Sequence, residues 1–316
     1  RSLRLMISRE TGDPYVSLID DIALRFRGDR ELNPEGKRAL AVVARLLEKL
    51  GSRIPRDFES RYLLGFDDFD VSESIDRAFP FCTTELDAKG RGEILLRLTG
   101  RCNQACPFCS APVPRSEPSL ATLRRFIEHI ESRAPEAMIV LTGGEPTLRK
   151  DLTEIVELAL GHEGRDREVE VQTNAVNLDS ERVAAFPRGR KLRFFVSLHG
   201  TAPAIYDRCT GTKGMLPRAL EGIERLLARG HPVILSIVVN RENREHLEKL
   251  VDDVAARLGA LGSLATHFSV LICPEHRPTV SDALVRYSEV APMLENAHRR
   301  AQELGLSPEP LLSATH

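Results

Sequence analysis

From Glu93 to about residue 273 the chain alternates two hydrophobic patterns. Short apolar runs at 94–98, 138–141, 168–172, 192–196, 233–239 and 268–272 have the length and β-branched content of strands. Between them apolar residues recur every three or four positions, as in Leu120, Leu123, Phe126, Ile127 and Ile130, or Leu152, Ile155, Val156 and Ala159. Leu216, Leu220, Ile223 and Leu227 repeat the spacing, as do Leu247, Leu250, Val251 and Val254. These are one-sided helices. Ser119 reads as the cap of the first, Asp151 with Glu154 as a capping-box-like start of the second, and Gly161 and Gly230 as stops. Repeated strand–helix alternation predicts a parallel sheet with right-handed crossovers. The expected fold class is α/β, a partial (β/α)6 barrel that stays open on one side.

The flanks differ. Residues 1–90 read as a mostly helical N-terminal extension, without a strand pattern. Asn33 and Pro34 supply an N-cap and first helical residue, Leu40, Val43, Leu47 and Leu50 follow at helical spacing, and Gly51 ends the helix. An acidic segment follows at 65–70. The barrel is expected over 91–275, and 276–316, with Leu294, His298 and Ala301 on one helix, as a C-terminal helical segment cut short at His316. The chain opens on Arg1, so its start reads as trimmed, and a targeting peptide would have been lost with it.

Composition narrows the function classes. Hydrophobic residues make up 42% of the 316, enough to bury a sizeable core, and 28% are charged. Lys and Arg number 44 against 46 Asp and Glu, a net charge of −2 that provides no general field for nucleic acid or an anionic membrane. Arg188, Arg190, Lys191 and Arg193 form a local basic patch, read as a solvated loop before a strand. No apolar run approaches the ~18 residues of a membrane span. Six cysteines, three of them clustered, predict a reducing compartment and cytoplasmic localisation, not a disulfide framework.

Polar motifs sit where each strand should end. The cysteine loop 101–109 follows the first strand, 142–146 the second, 173–175 the third, 197–200 the fourth, Asn240 the fifth and Cys273 the sixth. In parallel βα folds the loops at the carboxyl ends of the strands converge on the functional face. Cys102, Cys106 and Cys109 suit an iron–sulfur cluster held by three thiolates, leaving one iron without a protein ligand. Open metal positions are the ones that do chemistry. Zinc is the rival, but it needs a fourth ligand, and no further Cys or His closely follows Cys109. Cys209 and Cys273 read as buried thiols, with Cys273 also placed to act as a ligand or hydrogen donor; His199 reads as a contact of substrate or cofactor, or as a satisfied local histidine.

Cys102-x3-Cys106-x2-Cys109 followed by Gly143-Gly-Glu-Pro146 resembles the radical S-adenosylmethionine (SAM) superfamily. The segments Thr173-Asn-Ala, Ser197-Leu-His-Gly and Asp207-x2-Thr-Gly211 are similar to its branch of molybdenum-cofactor cyclases and peptide-modifying maturases. The resemblance implies a 4Fe–4S cluster on the three cysteines, with SAM chelated by the remaining iron. Gly143 and Gly144 would let backbone approach the methionine part of SAM, and Glu145 would fix their loop. It also implies an aromatic near adenine at Phe108, and contacts to ribose or carboxylate from Thr173, Asn174 and Ser197. Reductive cleavage of SAM would give a 5′-deoxyadenosyl radical that takes hydrogen from a peptide or small-molecule substrate. An external one-electron reductant of flavodoxin or ferredoxin type would supply the electron. The alternatives are a pterin-type cyclase, whose cysteine-bearing carboxyl-terminal portion and arginine-rich tail are not visible in this sequence, and a non-catalytic SAM-binding iron–sulfur protein.

Overall fold

The computed structural model describes residues 4–7, 14–17, 81–86, 91–109, 117–162, 167–270 and 283–306. The chain divides into two units, 1–67 and 68–316. In the first, β1 (Arg4–Ile7) and β2 (Pro14–Ser17) pair antiparallel, Arg4 opposite Ser17.

Among the described residues the second unit is built on seven strands in the order β3 (Cys82–Leu86), β4 (Gly92–Arg97), β5 (Met138–Thr142), β6 (Val169–Thr173), β7 (Leu192–Ser197), β8 (Val233–Val239) and β9 (Leu264–Val270). β3 runs antiparallel to β4, and every other pair is parallel. Among the described residues the sheet has two edges and does not close. Helices α1 (Leu120–Arg133), α2 (Leu152–Leu160), α3 (Ser180–Ala185), α4 (Pro203–Thr210), α5 (Leu216–Ala228), α6 (Leu247–Leu258) and α7 (Tyr287–Glu303), with short 3-10 helices at Pro146–Leu148 and Arg244–His246, complete the described elements.

Each parallel strand has two unlike faces, because successive side chains point to opposite sides. Ile94, Leu96, Ile139, Leu141, Val171, Phe194, Val196, Leu235 and Ile237 are buried in one core with Phe126, Ile130, Val156, Ile223, Leu226 and Val251 of the helices. Each such side chain contributes about 1.5–3 kcal/mol on burial. The other face carries Arg97, Thr142, Glu170, Gln172, Arg193, Phe195, Ser197, Ser236 and His267, and forms the inner wall of the open barrel. Hydrophobicity holds the helices on; polarity is reserved for the inside.

Several expectations change. The described residues within 1–90, apart from the turn at Phe81, are strands, and β3 adds an antiparallel edge that the sequence pattern did not announce; the helix expected over 33–51 and the acidic segment at 65–70 lie outside the described residues. Asp151 makes no capping bond to its helix, since Arg149 Nε and Nη2 hold its carboxylate at 2.9 and 2.7 Å. Arg193 belongs to β7, not to a solvated loop, and is paired with Glu170. β9 begins at Leu264, earlier than the run at 268–272, because His267 and Ser269 face inward and dilute its apolar signal. Cys273 and 275–277 lie outside the described residues.

Candidate active site

The cysteine loop is held on both flanks by segments distant in sequence. On one side the 143–145 backbone pairs with it: Gly144 N–H donates to Thr99 O at 2.7 Å and Glu145 N–H to Arg101 O at 2.8 Å. A Cβ on Gly143 would stand 2.4 Å from Thr99 O, and one on Gly144 2.3 Å from Arg101 O. Both glycines are therefore required by contact with the cysteine loop itself, whatever else approaches them. Buried Arg149 adds hydrogen bonds from Nη1 to the Leu98 and Pro118 carbonyls at 3.0 and 2.9 Å. Glu117 accepts from Thr99 Oγ1 and from Arg101 Nε.

On the other flank stands α4. Ala105 N–H donates to Thr210 O at 2.9 Å, and Gln104 Nε2 donates to the hydroxyl of buried Tyr206 at 2.9 Å. Gly211 ends α4 in the left-handed region (φ +63°), and its absent Cβ would lie 2.3 Å from Ala105 O. The Thr-Gly pair noticed in the sequence is a clamp on the cysteine loop.

Glu145 is the latch between the second and third loops. Its buried carboxylate accepts four hydrogen bonds, from Thr147 N–H (3.0 Å), Thr147 Oγ1 (2.6 Å), Thr173 Oγ1 (2.7 Å) and Asn174 N–H (2.8 Å). Burial raises its pKa while these donors oppose the rise. Asn174 Nδ2 in turn donates to Asn103 Oδ1 at 2.6 Å, tying the third loop to the cysteines. Ala175 closes that turn at φ +60°, with Gly222 of α5 so close behind that a Cβ there would meet Ala175 O at 2.2 Å.

These contacts enclose a cavity of about 260 Å³. The ten residues that the resemblance assigned to cluster and SAM all border it: Cys102, Cys106, Cys109, Phe108, Gly143, Gly144, Glu145, Thr173, Asn174 and Ser197; Cys209 and Asn240 do not. Gln104, Gln172, Phe195, Ser236 and Val238 border it too and were missed. Four of these are inward positions on strands, findable only by carrying the alternation through to the carboxyl ends. His199 lines the wall with its ring 5.1 Å from that of Phe108, edge to face. Its Nδ1 accepts from Val238 N–H at 3.2 Å, and burial pushes its pKa down to about 4, so it is neutral at pH 7. Cys209 is buried beneath Phe108, beside Ile205, and its thiol is pushed up to about 11.

The donor set suits a cationic cluster. Burial, with Cys109 and Cys102 nearby, pushes the Cys106 thiol up to about 12, and burial raises Cys102 as well. Three thiolates there require a cation. Among the described residues no three His, Cys, Asp or Glu side chains converge as a single ion needs. In a multi-iron cluster each thiolate takes its own iron.

The family model described as the Radical SAM superfamily matches residues 96–254, spanning the cysteine loop, the Gly-Gly-Glu-Pro loop and the α4 clamp. The chain belongs to the radical SAM superfamily. That places it among enzymes whose shared cofactors are a 4Fe–4S cluster and SAM. Over 172 residues it is 33% identical to a PqqA peptide cyclase of Ruegeria pomeroyi, covering 53% of this chain and 44% of that protein. This radical SAM chain thus spans less than half the length of that relative. Its fold matches SuiB of Streptococcus suis bound to S-adenosylmethionine, with TM-score 0.58, 12% identity, and coverage of 99% of this chain and 71% of that one. It also matches anSMEcpe with bound AdoMet and a Kp18Cys peptide, with TM-score 0.57, 14% identity, and coverage of 69% and 63%. Among the described residues no helix is long and apolar enough to cross a membrane.

Proposed function

We propose that this chain is a peptide-modifying radical SAM enzyme. The observation that carries the chemistry is the shared cavity: three thiols of one loop face the Gly-Gly-Glu-Pro loop, with two hydrogen bonds welding the loops together. The peptide reading rests on the 33% identity to a PqqA peptide cyclase. Among the described residues the barrel is open along one side, between β9 and β3, which also gives an extended chain room to reach the cavity.

In this reading Cys102, Cys106 and Cys109 would hold the cluster, and the backbone of Gly143 and Gly144 would hold the amino-acid end of SAM. When bound, the two cofactors together supply an electron and an organic radical able to take hydrogen from carbon. The rest is positioning. Glu145 keeps the second and third loops in one arrangement, and so would position the wall formed by Thr173 and Asn174 against SAM. Ser197 reaches the same wall from β7, and Phe108 with His199 supplies an apolar, uncharged side that excludes water. An exposed Cys102 suits a reducing cytoplasm, and a flavodoxin- or ferredoxin-like protein is the matching electron donor.

The test is anaerobic reconstitution followed by reduction in the presence of SAM. The wild type should carry about four irons per chain for one cluster and release 5′-deoxyadenosine; the Cys102→Ala, Cys106→Ala, Cys109→Ala triple variant should do neither. Nucleoside release by that variant at the wild-type rate would end the proposal.

A further inference from the structure

Among the described residues, the inner face of the sheet carries a chain of matched polar groups and one cation left over. Thr142 Oγ1 donates to Gln172 Oε1 at 2.8 Å, and Gln172 Nε2 donates to Glu170 Oε1 at 3.2 Å. Arg193 Nε donates to the other oxygen of Glu170 at 2.8 Å. Buried Glu170 is thereby neutralised, and the polar groups of β5, β6 and β7 satisfy one another across three strands.

Arg97 stands outside this ladder. It is register-paired with Thr142, whose side chain borders the cavity, so its guanidinium lies on the same inner face one strand over. Leu96 and Leu98 on either side of it are buried against the helices, which fixes that orientation. Arg97 is half-buried, yet among the described residues no carboxylate lies within ion-pair distance and no acceptor meets its side chain. Burial alone acts on its pKa, lowering it, with no anion to restore it. A guanidinium that keeps part of its water but has no counter-ion leaves its hydrogen-bonding fork open to an incoming anion. Its planar fork matches a carboxylate through two parallel hydrogen bonds.

We propose that Arg97 receives a carboxylate of the substrate, one strand away from the cavity that holds the three thiols. This deepens the peptide-modifying reading and rests on it. Two parts of a peptide share that chemistry, an Asp or Glu side chain and a free C-terminus. The carboxylate of SAM is the competing source. Thr142 and Gln172 would separate the bound anion from the Arg193–Glu170 pair, so a single acid is accepted without disturbing the ladder.

The experiment uses the full chain with cluster and SAM loaded, and calorimetric titration of three probes. These are acetyl-Ala-Ala-Glu-Ala-Ala-amide, the same peptide with Gln for Glu, and acetyl-pentaalanine with a free carboxylate. One of the two acids should bind the wild type about tenfold or more tighter than the Gln peptide, the worth of a charge-assisted bidentate pair, and which acid does so names the source. Arg97→Gln should abolish the preference, and Arg97→Lys should restore part of it, both with unchanged SAM affinity, cluster absorbance and melting temperature. No preference for either acid in the wild type, or a preference that survives Arg97→Gln, overturns the subsite. So does a fall in SAM affinity in Arg97→Gln, which assigns the guanidinium to SAM. A wild type that takes up neither cluster nor SAM strikes down the enzymatic reading itself, a result visible before any peptide is added.

Discussion

Glu145→Gln replaces one carboxylate oxygen with an NH2 group and leaves the shape unchanged, so it isolates the latch. In the wild type one oxygen accepts from Thr147 N–H, Thr147 Oγ1 and Thr173 Oγ1, and the other from Asn174 N–H. The Thr147 and Thr173 hydroxyls can turn and accept from an amide. The backbone N–H groups cannot. Whichever way the new amide sits, either Asn174 N–H or Thr147 N–H faces another donor and is orphaned in a buried site. A buried N–H without acceptor costs about 1–3 kcal/mol, and the remaining bonds fall from charge-assisted to neutral, about 1 kcal/mol more. Relief of the buried charge offsets part of this, leaving roughly 2–4 kcal/mol of lost stability. For a unit of this size that is a melting-temperature drop of about 5–15 °C. Because the lost bonds fix the turn carrying Asn174, SAM affinity should fall with it. Thermal unfolding and SAM titration are the assays, with Thr173→Val as a milder companion that removes one donor. A Glu145→Gln protein that melts within about 1 °C of wild type and binds SAM equally well would refute the latch.

Gly222→Ala should destabilise, although alanine in a helix is normally favoured by about 1 kcal/mol over glycine. Its Cβ would sit 2.2 Å from Ala175 O, and such overpacking costs about 1–3 kcal/mol; a raised melting temperature would show that the 173–175 turn yields freely. Gly211→Ala combines a left-handed φ with a Cβ 2.3 Å from Ala105 O, so reconstituted iron per chain should drop well below wild type. Gly214→Ala, with φ +69° but nothing within 4 Å, controls for backbone strain alone, and equal iron loss in both would discount the clamp. Acid should weaken the fold through His199, whose pKa is depressed to about 4 from 6.5. The unfolded chain binds its proton first, so this contribution is intact above about pH 6.5 and declines as pH falls toward 4, by about 2 kcal/mol at pH 5. Urea unfolding at pH 7.5 and 5 should show a smaller decline in His199→Asn, and an identical decline would exclude the histidine as its source.

What the sequence revealed depended on whether the responsible residues are neighbours. The thiols, the Gly-Gly-Glu-Pro loop and Thr173-Asn174 each sit on one short segment that follows an apolar strand, so both their grouping and their shared rim could be read directly. Gln172, Phe195 and Ser236 are interleaved with core residues and become visible only when each strand is split into its two faces. The short helices α3 and α4 offered too few turns for a periodic signal, and so the clamp of Thr210 and Gly211 on Ala105 stayed hidden. β3 went unforeseen because its five residues include two threonines and a glutamate, and an antiparallel edge strand has no preceding helix to announce it. At Asp151 a plausible cap lost to Arg149, a stronger partner two residues away that local pattern could not rank.

The α4 clamp bears on how the protein is made. Gln104 and Tyr206 are 102 positions apart, so the segment bearing the three thiols lacks one of its two flanks until translation has passed Gly211. Before that moment the nascent cysteines are held on one side only, and exposed thiols are open to oxidation. Iron delivery therefore belongs after synthesis of the barrel, and oxygen is most harmful in the interval between.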